Sequence, residues 1–576
     1  MKKYFYKKLN PRLYSENILN EIALFKQLKD TERSIIARIL YNRNIKGSKN
    51  IKNYLSDGQI LSPFSLWDCL SASELILKHI NNKSKVIIYG DYDADGICAS
   101  AILWKYLFRT LKLDANVYIP SRYTEGYGLN AEAINEFIQK NIGLVITVDC
   151  GIRDAKFIAK LKENSIDVIV TDHHTIEGEL PNCPVVHPNY PGHNYENATP
   201  SGAVVVWKFV QYLDNYLSKK RISNCGRYIM EEDVDLASLS LITDVMPITN
   251  ENRAILKLGL KTIRSKPKSW IYALCSTANI STDSISTYEL GYIIGPRINA
   301  SGRVGDPYDS LKVLTTLDPN KALAIANKLN IDNEERQRLT EITLLEAKSC
   351  MENIENKIII AHKDGWNEGI IGLVAGKIQK EYDLPTIILT GDKETGEIRA
   401  SARSVSNFNI TNFVSQFKDI LIKYGGHDAA AGFSLEYKNI DKLKKRIRLY
   451  VKNKLANFVP LTKVYIDAKM EGRSISLEFA KALELFEPYA NGNSKPIFKI
   501  SGHIRNIHPI KETHTSIFID NIKCIFWDSH ISEFKEYRQG DRISVIGTIS
   551  INSYNGDSNI VLFGEKIRHS PLKNFG

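Results

Sequence analysis

The chain has 576 residues, a mass of 65.2 kDa and 76 basic against 65 acidic side chains, a formal charge of +11. At ~100–200 residues per domain this length supplies several hydrophobic cores rather than one. With 43% hydrophobic, 9% aromatic and 24% charged residues the composition excludes a largely disordered chain, and no apolar run reaches the ~18 residues of a membrane span. Asn20, Glu21 and Lys26 interrupt whatever apolar stretch could follow the basic start, so no secretory leader is signalled. The eight cysteines include no C-x-x-C pair, so neither a zinc ribbon nor a disulfide framework is signalled; a cytoplasmic protein without a membrane partner is expected. A pI near 8.9 agrees with a polyanionic partner but also with simple solubility.

Residues 1–80 read as a helical, polar N-terminal region. From 81 to 317 short apolar strands alternate with helices: strand Val86–Tyr89, helix 97–112, strand Asn116–Pro120, helix 130–140, strand Leu144–Val148, helix 154–163 and strand Asp167–Thr171. Such alternation implies a mostly parallel, doubly wound α/β sheet. Helices near 202–217, 233–242 and 251–264 complete this domain, and residues 318–356 read as a long connecting helix. A second α/β domain spans 357–458, with strand KIIIA, helix 369–380, strand TIIL and a Gly425-Gly426-His427 turn. From 459 to 576 alternating runs such as HTSIFI, IKCIFW and RISVIGTISI, separated by Asn, Gly and Asp, read as a small β-barrel.

Chemistry concentrates after three strands: Gly90-Asp91-Tyr92-Asp93-Ala94-Asp95-Gly96, Asp149-Cys150-Gly151 and Asp172-His173-His174. In an open parallel sheet all three loops leave by the same carboxyl edge, where such folds bind ligands. Each aspartate alone could be a helix N-cap; three such sites on neighbouring strands read instead as a converging cluster. Two carboxylates ~4 Å apart repel by roughly 4 kcal/mol at an effective dielectric of about 20, so the cluster calls for protons, separation or cations. Carboxylates with imidazoles and no thiolate favour Mn²⁺ or Mg²⁺, and a pair of such ions suits water attack on phosphorus. Asp244, in Leu241-Ile242-Thr243-Asp244-Val245, reads on its own as a solvated helix-end residue.

These three segments resemble the successive signatures of the DHH phosphoesterase family. Gly295-Pro296-Arg297-Ile298-Asn299-Ala300-Ser301-Gly302-Arg303, Ser401-Ala402-Arg403 and Gly425-Gly426-His427 are similar to those of its single-strand-specific exonuclease branch, in the expected order. The resemblance implies two divalent cations, Mn²⁺ or Mg²⁺, held by Asp93, Asp95, Asp149, His173 and Asp244, with Asp149 as the bridge. It implies that Asp91 is a ligand or its support, and that His174 polarises the scissile phosphate or protonates the leaving oxygen. Tyr89 departs from members that carry a histidine ligand there.

Arg122 matches the family's basic residue for a terminal 5′ phosphate. Ser401 and Arg403 match a hydroxyl-plus-guanidinium pair on the second domain, Arg297 and Arg303 would hold the backbone, and His427 would donate at the domain interface. The β-rich segment is similar to an oligonucleotide-binding barrel, with Phe518, Phe526, Trp527 and Tyr554 as candidate stacking residues, about half of them expected in the barrel core. The expected activity is metal-dependent 5′→3′ exonucleolysis of single-stranded DNA to mononucleotides in repair and recombination. The expected protein is a monomer, and a helicase or single-strand-binding protein is a further partner the resemblance admits. Two other readings stand beside it: a phosphoesterase for small substrates such as nanoRNA or nucleotide phosphates, and a non-catalytic strand-binding scaffold. The barrel argues against the first, the full carboxylate set against the second.

Overall fold

Residues 2–6, 23–193, 195–197, 199–554 and 557–569 are described by a computed structural model. The chain forms two units, Gln59–Thr462 and a second that joins Lys2–Gly58 to Lys463–Gly576.

In the first unit, β-branched runs make the inner strands buried on both faces, the pattern of a sheet covered by helices on each side, while the edge strand Ala115–Tyr118 is partly exposed. These are β1 (Val86–Gly90), β2 (Ala115–Tyr118), β3 (Leu144–Val148), β4 (Asp167–Thr171) and a short β5 (Val185–Val186). They pair in parallel in the order β2-β1-β3-β4-β5. The expected parallel α/β core is present. The Asp91–Asp93, Asp149 and Asp172–His174 loops follow β1, β3 and β4, and so leave the sheet at one edge.

Helix α1 (Ala94–Trp104) follows β1 and ends in a π-helical turn, Lys105–Thr110, where one continuous helix over 97–112 was expected. Helices α2 (Gly202–Lys219) and α3 (Val234–Thr243) pack with α1 on one face of the sheet. A second π-helical turn, Glu289–Ile294, runs directly into α4 (Gly295–Val304). The connecting helix α5 spans Pro319–Cys350, about 48 Å at 1.5 Å per residue. It stops short of the expected 356 because Glu352–Ile354 forms an edge strand.

That strand, β6, opens the second sheet with β7 (Ile358–His362), β8 (Thr386–Asp392), β9 (Glu397–Arg403), β10 (Lys423–His427) and β11 (Ala430–Glu436), in the order β10-β11-β9-β8-β7-β6. Helix α6 (Glu368–Tyr382) crosses between β7 and β8. Gly425-Gly426-His427 is therefore not a turn. It is an exposed edge strand, and the reversal falls on Asp428 and Ala429. The difference has a simple cause: two glycines read as a turn, but Gly426 (φ +146°) is a glycine because a Cβ there would collide with the Ala430 carbonyl across the hairpin.

In the second unit, strands Phe498–Ile510, His514–Ile519, Ile522–Phe526, Asp557–His569 and Arg542–Tyr554 pair in that order, and the last returns to the first. This closed five-stranded barrel is the expected OB-like element. Its core holds Phe479, Phe498, Ile517, Val545 and Leu562 together with Ile36, Ile39 and Leu40 of helix Asp30–Asn42. Glu32 fixes that helix by accepting from the backbone N–H (3.0 Å) and hydroxyl (2.8 Å) of Ser476. No helix among the described residues is long and apolar enough to cross a membrane.

The start of α3 is anchored by a buried charge cluster. Asp233 receives Lys105 Nζ at 2.5 Å and Lys268 Nζ at 3.0 Å. Burial pushes its carboxyl up, but the two ammonium groups outweigh this and hold it below the ordinary range. A depressed folded value contributes stability that is complete above the unfolded value near 4 and is lost as pH falls through the folded one. Asp233→Asn should therefore cost about 3 kcal/mol at pH 7, by taking the carboxylate from the buried Lys105 ammonium while Lys268 keeps Asp235. In urea unfolding the gap should stay constant down to about pH 5 and close only below about pH 4.

Candidate active site

Backbone N–H groups hold the acidic loops together against their own repulsion. Asp93 caps α1, accepting from Asp95 N at 2.9 Å and Gly96 N at 3.2 Å. Asp95 is buried inside α1, yet the first amides of α2 reach it: Gly202 N and Ala203 N both donate at 2.8 Å, and Ser240 Oγ of α3 at 2.7 Å. Asp172 accepts from Ile152 N, His173 N and His174 N at 2.7–3.0 Å. Its carboxyl lies well below the usual range: burial raises it, but the hydrogen bond and charge of His174 dominate.

The remaining carboxylates have less support, Asp91 keeping one backbone hydrogen bond from Tyr92. Asp91 Oδ1, Asp149 Oδ1 and Asp244 Oδ2 are buried and accept no hydrogen bond among the described residues. Desolvation, then the neighbouring aspartates, pushes all three carboxyls above their ordinary range. Ligand atoms gather in overlapping sets, each within 4.8 Å: Asp91, Asp93 and Asp149; Asp95, His173 and Asp244; Asp149, His173 and His174. His173 Nε2 joins the sets, 3.1 Å from Asp149 Oδ1, 3.6 Å from Asp244 Oδ2 and 3.8 Å from Asp95 Oδ2. Its ring also hydrogen-bonds the Pro200 carbonyl, which leaves Nε2 bare toward the carboxylates. Unpartnered buried carboxylate oxygens beside a bare imidazole nitrogen fit hard divalent cations.

All five residues expected as metal ligands thus converge, and Asp244 does so from the C-terminus of α3. Tyr89 faces the other way. It stacks on Tyr118 at 5.4 Å between ring centroids, and its hydroxyl donates to the Gly128 carbonyl at 2.7 Å. His174 Nδ1 is tied to Asp172 Oδ1 at 2.8 Å; burial lowers its basicity, but this hydrogen bond raises it above the ordinary value. Its carbonyl accepts from His187 Nε2 at 2.9 Å.

Next to the carboxylates lies the opposite charge. The Arg122 guanidinium sits 4.1 Å over the Tyr92 ring, and Arg303 Nη1 donates to the Gly369 carbonyl at 2.6 Å. Burial, then Arg122 and Arg336, pushes the Arg303 guanidinium down to about 10, with Arg403 adding to the effect and Asp93 opposing it. None of Arg122, Arg303, Arg336 and Arg403 pairs with a carboxylate among the described residues.

Sheet register places the rest. Arg403, Ala430 and His427 form one cross-strand row, and Ser401, Gly432 and Gly425 form the parallel row two residues on, so the four candidate positions share a face. Helix α6 covers part of that face: a Cβ on Gly372 would meet both Arg403 Nη2 and Ser401 Oγ at 3.0 Å. Arg297 lies apart. Its guanidinium donates to Asn330 Oδ1 of α5 and to the Ile293 carbonyl.

Family comparisons agree with this arrangement. The DHH family N-terminal domain matches residues 85–237, the DHHA1 domain 355–453 and the RecJ OB domain 466–565. The single-stranded-DNA-specific exonuclease RecJ of Thermus thermophilus is 30% identical over 492 residues, 84% of this chain and 68% of that protein. The chain belongs to the RecJ family. RecJ of Bacillus subtilis is also 30% identical, over 90% of this chain and 66% of its own length, so the chain spans about two thirds of these relatives. The crystal structure of RecJ from T. thermophilus in complex with Mn²⁺ has a TM-score of 0.79 at 26% identity, covering 93% of this chain and 76% of that one. A crystal structure of exonuclease RecJ bound to manganese has a TM-score of 0.59 at 30% identity, over 68% of this chain and 96% of that one.

Sequence reasoning missed three supports of this RecJ site. Asn299 Oδ1 accepts from Ala94 N at 2.9 Å and so ties α4 to the first acidic loop. Tyr127 hydroxyl donates to the Asp149 carbonyl oxygen at 3.1 Å. Gly202, whose signal was the Ser201-Gly202 start of a helix, leaves room for Asp149: a Cβ there would lie 2.5 Å from its Oδ1 and 2.7 Å from its Cβ. On the barrel Phe526 is buried, Phe518 half-buried and Trp527 exposed against His514 and Phe563; the Tyr554 side chain lies outside the described residues.

Gly202→Ala should push the Asp149 carboxylate out of place. Mn²⁺ affinity measured by calorimetry should fall roughly tenfold or more, with the far-ultraviolet circular dichroism unchanged.

Proposed function

We propose that this chain is a metal-dependent 5′→3′ exonuclease that degrades single-stranded DNA to mononucleotides. One observation carries the reading. The helix α4 spans both halves of the site, with Asn299 on the first acidic loop and Arg303 among guanidinium groups that have no carboxylate partner among the described residues.

Asp93, Asp95, Asp149, His173 and Asp244 would hold two divalent cations, Mn²⁺ or Mg²⁺, with Asp91 as a further ligand or support. Such cations supply an activated water and offset charge on the phosphate. His174, oriented by Asp172 and held basic by it, supplies a proton to the leaving oxygen or polarises the phosphate. Arg122, Ser401, Arg403 and His427 are assigned to the terminal 5′ phosphate, whose charge the arginine cluster lacks internally. Arg303 holds the adjoining backbone. Arg297 braces α4 against α5 with three of its five N–H groups, and its remaining donors are assigned with Arg303 to the strand backbone.

A terminal phosphate fixed beside the metal ligands sets both polarity and product: each cut is measured from the end. The chain's relatives are single-stranded-DNA-specific exonucleases by name, which supports the choice of strand. The barrel, with Trp527 exposed on it, supports a polymer over a small substrate. The carboxylates and His173 gathered within ligand reach weigh against an inactive scaffold. All eight cysteines are free thiols, in keeping with work in a reducing compartment such as the cytoplasm, on repair and recombination intermediates.

The test incubates the purified chain with end-labelled single-stranded DNA, 5′-phosphorylated or 5′-blocked, and with duplex, in Mn²⁺ or chelator. Mononucleotides should appear from phosphorylated single strands alone at full rate and vanish with chelator or with Asp149→Ala. Cleavage indifferent to chelator and to that substitution would refute the metal assignment; equal rates on blocked ends would refute the phosphate pocket.

A further inference from the structure

The π-helical turn Glu289–Ile294 continues into α4, so Tyr288, Tyr292, Asn299 and Arg303 stand on one helical rod. Asn299 and Arg303, four residues apart on α4, share one face of it, and the wider π-helical turn with the residue before it carries the tyrosines at the other end of the rod. Two of the four are already placed: Asn299 faces the first acidic loop and Arg303 the arginine cluster. The other two are exposed aromatics. Tyr288 is 60% and Tyr292 71% exposed, with ring centroids 5.1 Å apart and planes 31° from parallel. The same turn abuts the metal-ligand end of α3. A Cβ on Gly291 would touch Ile242 at 3.0 Å, and one on Gly295 would collide with Cγ2 of Thr243, the residue before Asp244.

We infer that Tyr288 and Tyr292 form a stacking platform for the bases of the single strand on the far side of the metal ligands from the phosphate cluster. The inference rests on the exonuclease reading and extends it. A strand whose 5′ end lies at Arg303 and whose scissile phosphate lies at the carboxylates continues along the rod toward Tyr292. At 1.5 Å per residue that is about 16 Å, the length of a few nucleotides. Two exposed rings, tilted 31° to one another, suit bases of any sequence, because every base offers a π face. The site is thus read as phosphate clamp, acidic centre and aromatic platform in one line, the last holding the strand that remains after each cut. An interrupted helix is a common local device at functional sites, and here the π-helical turn is what carries the tyrosine pair.

The probe is a fluorescein-labelled oligothymidylate of about sixteen nucleotides, with chelator present so that affinity is read without cleavage. Tyr288→Ala/Tyr292→Ala in the full chain should weaken binding about tenfold or more, and Tyr288→Phe/Tyr292→Phe should bind as the parent does. Tyr272→Ala removes a tyrosine of similar exposure (63%) on the separate helix Ser269–Thr277 and should leave affinity unchanged. Mn²⁺ titration of the double alanine variant should match the parent. Unchanged affinity in that variant, failure of the phenylalanine pair to rescue, an equal loss with Tyr272→Ala, or loss of Mn²⁺ binding would each overturn the platform. Failure of the parent to degrade DNA with Mn²⁺ present would instead strike the exonuclease reading, since the binding measurement needs no turnover.

Discussion

Acidic side chains held close together in low dielectric are the constraint on which this molecule turns. Mutual repulsion of several kcal/mol per pair works to open the site, and backbone amides oppose it. The N-terminal amides of α2 clamp Asp95, those of α1 clamp Asp93, and those of the Asp172–His174 loop clamp Asp172. What these donors leave uncompensated, at Asp91, Asp149 and Asp244, is the part of the charge a cation can satisfy. The scaffold thus pre-organises a deficit of positive charge in one place and, one helix away, a surplus of it among Arg122, Arg303, Arg336 and Arg403. Polyanion chemistry needs both.

Much of this was legible in the residues. Alternation of apolar runs with helices implied a parallel sheet, and acids directly after β1, β3 and β4 had to share an edge once the strands were parallel. Asp244 was not legible from its surroundings. It ends a helix distant in sequence, and only the packing of α3 on α1 carries it to His173. Tyr89, noted as a departure from a histidine ligand, is turned by strand alternation into the core beneath, where Gly128 takes its hydroxyl. Gly425-Gly426 looked like a turn because the demand for glycine was steric, across a hairpin, and a sequence does not display cross-strand neighbours.

Register does quiet work in the second sheet. Ser401 and Arg403 are two residues apart, and so on one face; Gly425 and His427 are likewise. Their common partners Gly432 and Ala430 put both pairs on the same face without any contact between them. A slip of one residue in either pairing would turn two of the four to the opposite side, so the strand register aligns the two pairs, and Arg403 Nη1 donates to Ser401 Oγ at 3.1 Å within one of them.

The barrel unit is assembled from the two ends of the chain, with Ile36, Ile39 and Leu40 buried among strands that begin near residue 498. During synthesis at about 5–20 residues per second, the helix that carries them leaves the ribosome roughly 20–90 s before its partner strands exist. Through that interval its apolar stripe has no native cover. The first unit, wholly encoded between, is free to fold in the meantime, so biogenesis of this protein runs from the middle outward and depends on the early segment staying soluble until the last strands arrive.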